Sequence, residues 1–275
     1  MSGFADSLSV IDGVVDAPYC MGIYGKGGVG KSHLAAYTED PFYVAMEHGT
    51  NLIKAKKFNV HPKSVDEVFE MVRWLLKNPD GFKTVVFDSL GFFQSMVYAD
   101  VMLKNPTTGG SNPQPATSIA SYGYHSGYAM ALPYFEKLLV GIDALQAKGK
   151  NVVLITHSQL KNVTNESGES YKITDFALQS PNNGDVSELL RRRLDVCLYM
   201  ESTARTVKKK SNYGNATTVP LVGSRPEVTI YTRATSSFFA KVRSQDESKI
   251  HDYYSIDPND LDGSSKAIID AVTSM

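Results

Sequence analysis

The segment GKGGVGKS, Gly25–Ser32, constrains this chain more than any other stretch. Four glycines in eight residues free the backbone to take conformations closed to other residues and to turn successive N–H groups to one side. The apolar run CMGIY precedes it and reads as a short buried strand; KSHLAAYTE follows and reads as a helix. A glycine-rich loop between a strand and a helix N-terminus is a phosphate cradle, lined by inward N–H groups and the positive end of a helix dipole. Gly25-x4-Gly30-Lys31-Ser32 satisfies the Walker A pattern, which implies ATP and Mg2+. Gly25, Lys26, Gly27, Gly28, Val29, Gly30, Lys31, Ser32 and His33 are accordingly expected around the nucleotide. Lys31 reaches the β- and γ-phosphates, and the Ser32 hydroxyl ligates the metal.

The rest of the chain alternates strands and helices. PFYVAME (41–47), KTVVFDS (83–89) and NVVLITHS (151–158) read as strands, apolar on both faces as a parallel sheet covered by helices requires. VDEVFEMVRWLLKN has apolar residues at helical spacing and ends at Asn78-Pro79-Asp80-Gly81, a stop signal. Residues 128–148 read as a second helix, and LLRRRLDVCLYM runs from a helix end into a strand. Residues 104–121, rich in Gly, Pro, Ser and Thr, predict a long loop, and the polar stretch 160–185 is expected to include another, mobile one. VTIYTRATSSFFAKVR reads as an antiparallel hairpin. The expected fold is α/β: one domain over 1–275, a mostly parallel central sheet flanked by helices, with an N-terminal arm (1–18) and an acidic tail (244–275).

Asp88 ends the third of these strands, the Walker B position, where a carboxylate holds magnesium through water. Glu47 ends the second strand and His157 the fourth, on the rim where parallel sheets bind ligands. A carboxylate there is a candidate base for the attacking water, and the imidazole a candidate γ-phosphate sensor.

Taken together, GKGGVGKS, VAMEHGTN, TVVFDSL, VVLITHSQ and LLRRRLDVCLYM resemble a RecA-like P-loop ATPase core over roughly residues 20–243. The AMEH strand end and the RRRLDVCLYM segment narrow the resemblance to compact phage-encoded RecA-core ATPases of single-strand annealing and recombination. It implies that Glu47 activates water and that His157 stands where RecA proteins carry a glutamine sensor. It implies DNA-facing loops at 104–121 and 160–185. It also implies that Lys241 and Arg243 reach the ATP site of a neighbouring subunit in a homo-oligomer, stabilising charge on the transferring phosphoryl group. Single-stranded DNA is the expected partner, with a single-strand-binding protein as a further one. Two alternatives stand beside this. One is a RecA-core helicase or translocase motor. The other is a ParA/MinD-like switch, because Lys26 also fits the deviant Walker A of that group, although Glu47 replaces its expected Asp-rich strand end.

Net charge is −1, but its distribution is uneven: residues 203–243 hold eight Lys/Arg against one acid, and 244–275 hold seven acids against two bases. That asymmetry suggests a basic surface for phosphates with an acidic end competing for it. Arg191, Arg192 and Arg193, then Lys208, Lys209 and Lys210, supply cations; Tyr122, Tyr124, His125 and Tyr128 supply rings, the ingredients of a single-strand site. Cys20 and Cys197 lack metal-ligand spacing and are expected to be buried thiols. No apolar run is long enough for a membrane span and no signal peptide is visible, so a cytoplasmic protein without membrane partners is expected.

Overall fold

Strand β1 (Cys20–Gly25) is buried along its whole length at the centre of the sheet. Its alternate side chains enter different cores: Cys20 and Tyr24 pack on one face, Met21 and Ile23 on the other. The computed structural model describes residues 10, 12–13, 17–110, 112–164, 167–179, 181, 184–203, 206–210, 216–220, 226–244 and 247–274. The N-terminal arm therefore lies largely outside the described residues.

After β1 come helix α1 (Lys31–Ala35), β2 (Pro41–Ala45), β3 (Lys56–Lys57), α2 (Val65–Lys77), β4 (Thr84–Asp88), α3 (Leu90–Lys104) and α4 (Ser126–Ala147). They are followed by β5 (Asn151–Thr164), β6 (Ser170–Phe176), α5 (Val186–Arg193), β7 (Val196–Thr203), β8 (Thr206–Lys210), β9 (Ala216–Pro220), β10 (Glu227–Tyr231), β11 (Lys241–Val242), β12 (Tyr253–Ile256) and α6 (Leu261–Thr273). The main sheet runs β12-β10-β7-β1-β5-β4-β2-β3, parallel from β7 to β3 and antiparallel beyond β7. Side chains of α2, α3, α4 and α5 cover one face and those of α1 and α6 the other. This is the helix-flanked, mostly parallel α/β sheet expected. No described helix is long and apolar enough to cross a membrane.

Local signals explain the element ends. The Ser64 hydroxyl accepts from Glu67 N–H, and Glu67 Oε2 in turn accepts from Lys63 N–H, so α2 starts with a reciprocal cap. It ends at Lys77, just before the Asn-Pro signal. Helix α1 is shorter than KSHLAAYTE suggests: Thr38 Oγ1 bonds Ala35 O, and Asp40 takes a left-handed φ of 39° ahead of Pro41.

Four expectations change. Residues 160–185 are a strand hairpin over nearly half of their length: β5 continues past His157 to Thr164 and pairs antiparallel with β6, Ser158 opposite Phe176 and Thr164 opposite Ser170. The strand runs on after its buried half has ended, with exposure alternating over its last four residues, Lys161 to Thr164. The C-terminal strands are antiparallel, yet β10 and β11 pair with β7 rather than with each other, each taking a different length of its edge. A separate two-stranded ribbon, β8–β9, carries Lys208, Lys209 and Lys210, whose side chains lie outside the described residues. Finally, the acidic tail is built into the fold: β12 extends the sheet, and α6 buries Ile268, Ile269 and Val272 beneath it. Each such side chain contributes about 2 kcal/mol of burial, enough to hold the segment in place rather than leave it to compete for cations. Cys20 and Cys197 are buried free thiols, as expected.

Candidate nucleotide site

Register places the ends of the central strands level. Gly25 on β1 faces His157 on β5 and Met200 on β7, while Asp88 on β4 lies beside Ile155 and Ala45. The glycine loop leaves the sheet at this rim. Gly25 must be glycine because a Cβ there would stand 2.2 Å from the Met200 carbonyl oxygen. Gly28 and Gly30 take φ values of 76° and 99°, the left-handed region that turns the loop's N–H groups inward before α1 begins.

Lys31 is 6% exposed. Its Nζ donates to Gly25 O at 3.0 Å and Lys26 O at 2.9 Å, so the ammonium is folded back along the loop it serves. Burial lowers its pKa, against the pull of Asp88 and Glu47. Tyr43, wholly buried on β2, donates its hydroxyl to Ser32 O at 2.7 Å and so fixes the backbone of that residue. Sequence reasoning missed Tyr43, since nothing in the strand pattern marks a buried tyrosine as aimed at the loop.

Asp88 is fully buried, and neither carboxylate oxygen has a hydrogen-bond partner. Burial pushes its carboxyl up to about 6, against the pull of Ser32, with Glu47 adding to the rise. An orphaned buried carboxylate beside a serine hydroxyl fits a divalent cation. One carboxylate and one hydroxyl match the few protein ligands that Mg2+, an ion that keeps most of its waters, usually takes. Ser32 and Asp88 are the residues that would hold it, and when bound it neutralises charge on the phosphate oxygens.

Glu47 is half-buried just beyond β2, where Met46 N–H bonds Asp88 O at 2.7 Å. Its charge raises the pKa of both Lys31 and His157, so the three groups share one electrostatic neighbourhood. His157 lies over the loop: a Cβ at Gly27 would be 3.7 Å from its Cε1. Burial first, and Lys31 second, lower its pKa, which leaves a neutral imidazole at neutral pH. The structure thus brings Lys31, Ser32, Asp88, Glu47 and His157 together.

Other expected residues lie elsewhere. The His33 side chain turns to α6, its Nε2 3.4 Å from Asp262 Oδ1, so its own contribution to a phosphate is a backbone N–H. Lys26 is exposed. Lys241 stands opposite Cys197 and Arg243 opposite Asp195, three and five residues before Met200 on β7. At about 3.3 Å per residue they sit roughly 10 and 16 Å below the loop in their own chain. Lys241 Nζ donates to Arg191 O at 3.1 Å, and Arg243 pairs with Asp195 at 3.1 Å. The three arginines of α5 are also partnered, Arg191 with Asp175, Arg192 with Glu188 and Arg193 with Asp143. Tyr122 is buried, its hydroxyl bonded to Asn105 O, and so serves the loop's packing.

A family described as an AAA domain matches residues 17–244. This chain belongs to that AAA domain family. The match spans both strand-end carboxylates and the glycine loop, and the AAA-domain chain is a P-loop ATPase. Among solved structures, a KaiC-like protein from the hyperthermophilic archaeon Pyrococcus horikoshii is similar over 88% of each chain, at 12% identity and a TM-score of 0.40, too distant to carry weight for function. No curated protein matches.

For this AAA-domain site a stability prediction follows from Asp88. A raised carboxyl pKa gives stability that is complete below the unfolded value of 3.8 and lost as pH rises through about 6. At pH 8 the ionised, unpartnered carboxylate therefore weakens the nucleotide-free protein. Asp88→Asn should raise its melting temperature there, with about 2–4 °C for each kcal/mol recovered, and should lose the Mg2+-dependent part of stabilisation by ATP. Thermal scans at pH 4 and pH 8 check it; an Asn variant less stable than its parent at pH 8 contradicts it.

Proposed function

We propose that this P-loop ATPase binds single-stranded DNA as a homo-oligomer and uses ATP to control its grip, in annealing or recombination of the kind phages encode. One observation carries the link between nucleotide and DNA. The N–H of Ala177 bonds the carbonyl of His157 at 2.8 Å, so the segment leaving the β5–β6 hairpin is fastened to the γ-phosphate sensor itself. Any shift of His157 on hydrolysis moves the base of a 14-residue strand whose outer half projects beyond the sheet. The loop at 104–121 follows α3, whose first turn begins directly after Asp88.

Support for the oligomer comes from Lys241 and Arg243. Lying well below their own glycine loop, they act on phosphate chemistry only in a neighbouring chain, where they stabilise developing charge. Each first leaves its own-chain partner, the Arg191 carbonyl and Asp195.

The test is ATPase rate titrated with single- and double-stranded DNA, with mass measured in parallel. Single strands should raise the rate several-fold, and log affinity should fall linearly with log salt. A flat rate with either DNA at every salt concentration removes the proposal.

A further inference from the structure

A second pocket opens on the rim beyond His157, about 390 Å³ in volume. Its walls come from three places: Gln94 and Tyr98 on α3, His125 and Tyr128 where α4 starts, and Gln159 and Gln179 beside the hairpin. Among its described lining residues there is no Lys, Arg, Asp or Glu, so a phosphate or any other ion finds no counter-charge there. Rings and amides are what it offers. Tyr98 and Tyr128 stand edge to face at 6.1 Å, and His125 lies 6.0 Å from Tyr128. A planar, uncharged, hydrogen-bonding heterocycle fits such a lining.

The walls are fastened in advance. Gln179 is 5% exposed; its N–H donates to Gln94 Oε1 at 2.7 Å, and its side-chain amide donates to Tyr128 O and Gly184 O at 3.0 and 2.8 Å. Gln159 Nε2 donates to Phe176 O and Leu178 O at 2.9 and 3.1 Å. These bonds leave Gln159 Oε1 and Gln94 Nε2 unengaged by described residues, one acceptor and one donor at the mouth. At the entrance Tyr124 and His125 both hold left-handed φ angles, 52° and 59°, a conformation that side-chain-bearing residues adopt at a cost. Tyr124 is thereby fully exposed at the rim.

From this geometry we infer that the pocket takes one base of a single-stranded nucleic acid, turned out of its strand, stacked on the Tyr98 ring and meeting Tyr128 edge-on. The inference rests on the single-strand reading proposed above and adds a site to it. The phosphate backbone stays outside, and the amides at the mouth read the edge of the base. Because Ala177 lines the pocket and bonds His157, the seated base bears on the sensor side of the ATP site.

Fluorescence anisotropy with a short single strand, and with the same strand made abasic throughout, tests the pocket. Stacking of a base on an aromatic side chain predicts roughly ten- to hundred-fold weaker binding for Tyr98→Ala, with the salt slope unchanged. Tyr98→Phe keeps the ring and should bind like the parent. The exposed His125→Ala should weaken binding less, without loss of folding. The abasic strand should bind the parent as weakly as the intact strand binds Tyr98→Ala, and a 2-aminopurine in the strand should be quenched by the parent and by Tyr98→Phe but not by Tyr98→Ala. If intact and abasic strands bind the parent equally, the pocket is not a base site although the protein still binds DNA. If neither strand binds at low salt, the single-strand reading falls and the pocket assignment with it.

Discussion

Lys31→Ala should bind ATP about a hundred-fold more weakly than the parent in a calorimetric titration with Mg2+. The ammonium is nearly inaccessible and already points along the loop, held by the carbonyls of Gly25 and Lys26. A triphosphate tail arriving in that loop meets a positive charge with little water to screen it. A charge-assisted hydrogen bond there is worth about 3 kcal/mol, two orders of magnitude in Kd. Removing the side chain also strips two carbonyls of their donor, so some loss of stability is expected. Lys31→Met strips the same carbonyls of their donor but keeps the aliphatic stem, so it should melt above Lys31→Ala and still fail to bind. Binding by Lys31→Met within three-fold of the parent would mean that the phosphates do not lie in this loop.

Glu47→Gln should do the opposite, keeping ATP affinity within a few-fold while hydrolysis falls by roughly 10²–10⁴. The residue lies past the end of β2 in extended backbone, φ −125° and ψ 159°, leading into the short turn His48–Leu52. From there its charge acts on both Lys31 and His157. A carboxylate can orient a water and take its proton as it attacks; an amide of the same shape can still hydrogen-bond the water but cannot take the proton. Single-turnover and binding measurements on the one variant separate the two effects. Equal loss of affinity and turnover would make Glu47 part of the binding surface and leave the water without this base.

Much of this was legible in the chain because strand ends carry the chemistry. Short apolar runs ending in Glu47, Asp88 and His157 place their last residues on one rim as soon as the sheet is parallel, and register then levels them with Gly25. What stayed hidden depends on contacts between distant segments. Helix α3 gives no clear sequence signal, although Leu90, Phe93, Val97 and Val101 follow helical spacing, because its other residues are apolar too and blur the stripe. The hairpin after His157 reads as a loop because its strands stand clear of the core and carry polar side chains on both faces. A cluster of three arginines looks like a nucleic-acid surface until the fold supplies Asp175, Glu188 and Asp143 as partners. The tail's acids hid the Ile268, Ile269 and Val272 stripe by which α6 docks.

A triphosphate is expected in the Gly25–Ser32 loop, with its metal between Ser32 and Asp88. A crystal structure with a non-hydrolysable ATP analogue and Mn2+ measures this directly. The anomalous peak should fall between Ser32 Oγ and the Asp88 carboxylate, with Lys31 Nζ moved from its loop carbonyls onto the phosphates. A nucleotide bound elsewhere, or a metal peak with no contact to either side chain, would contradict it.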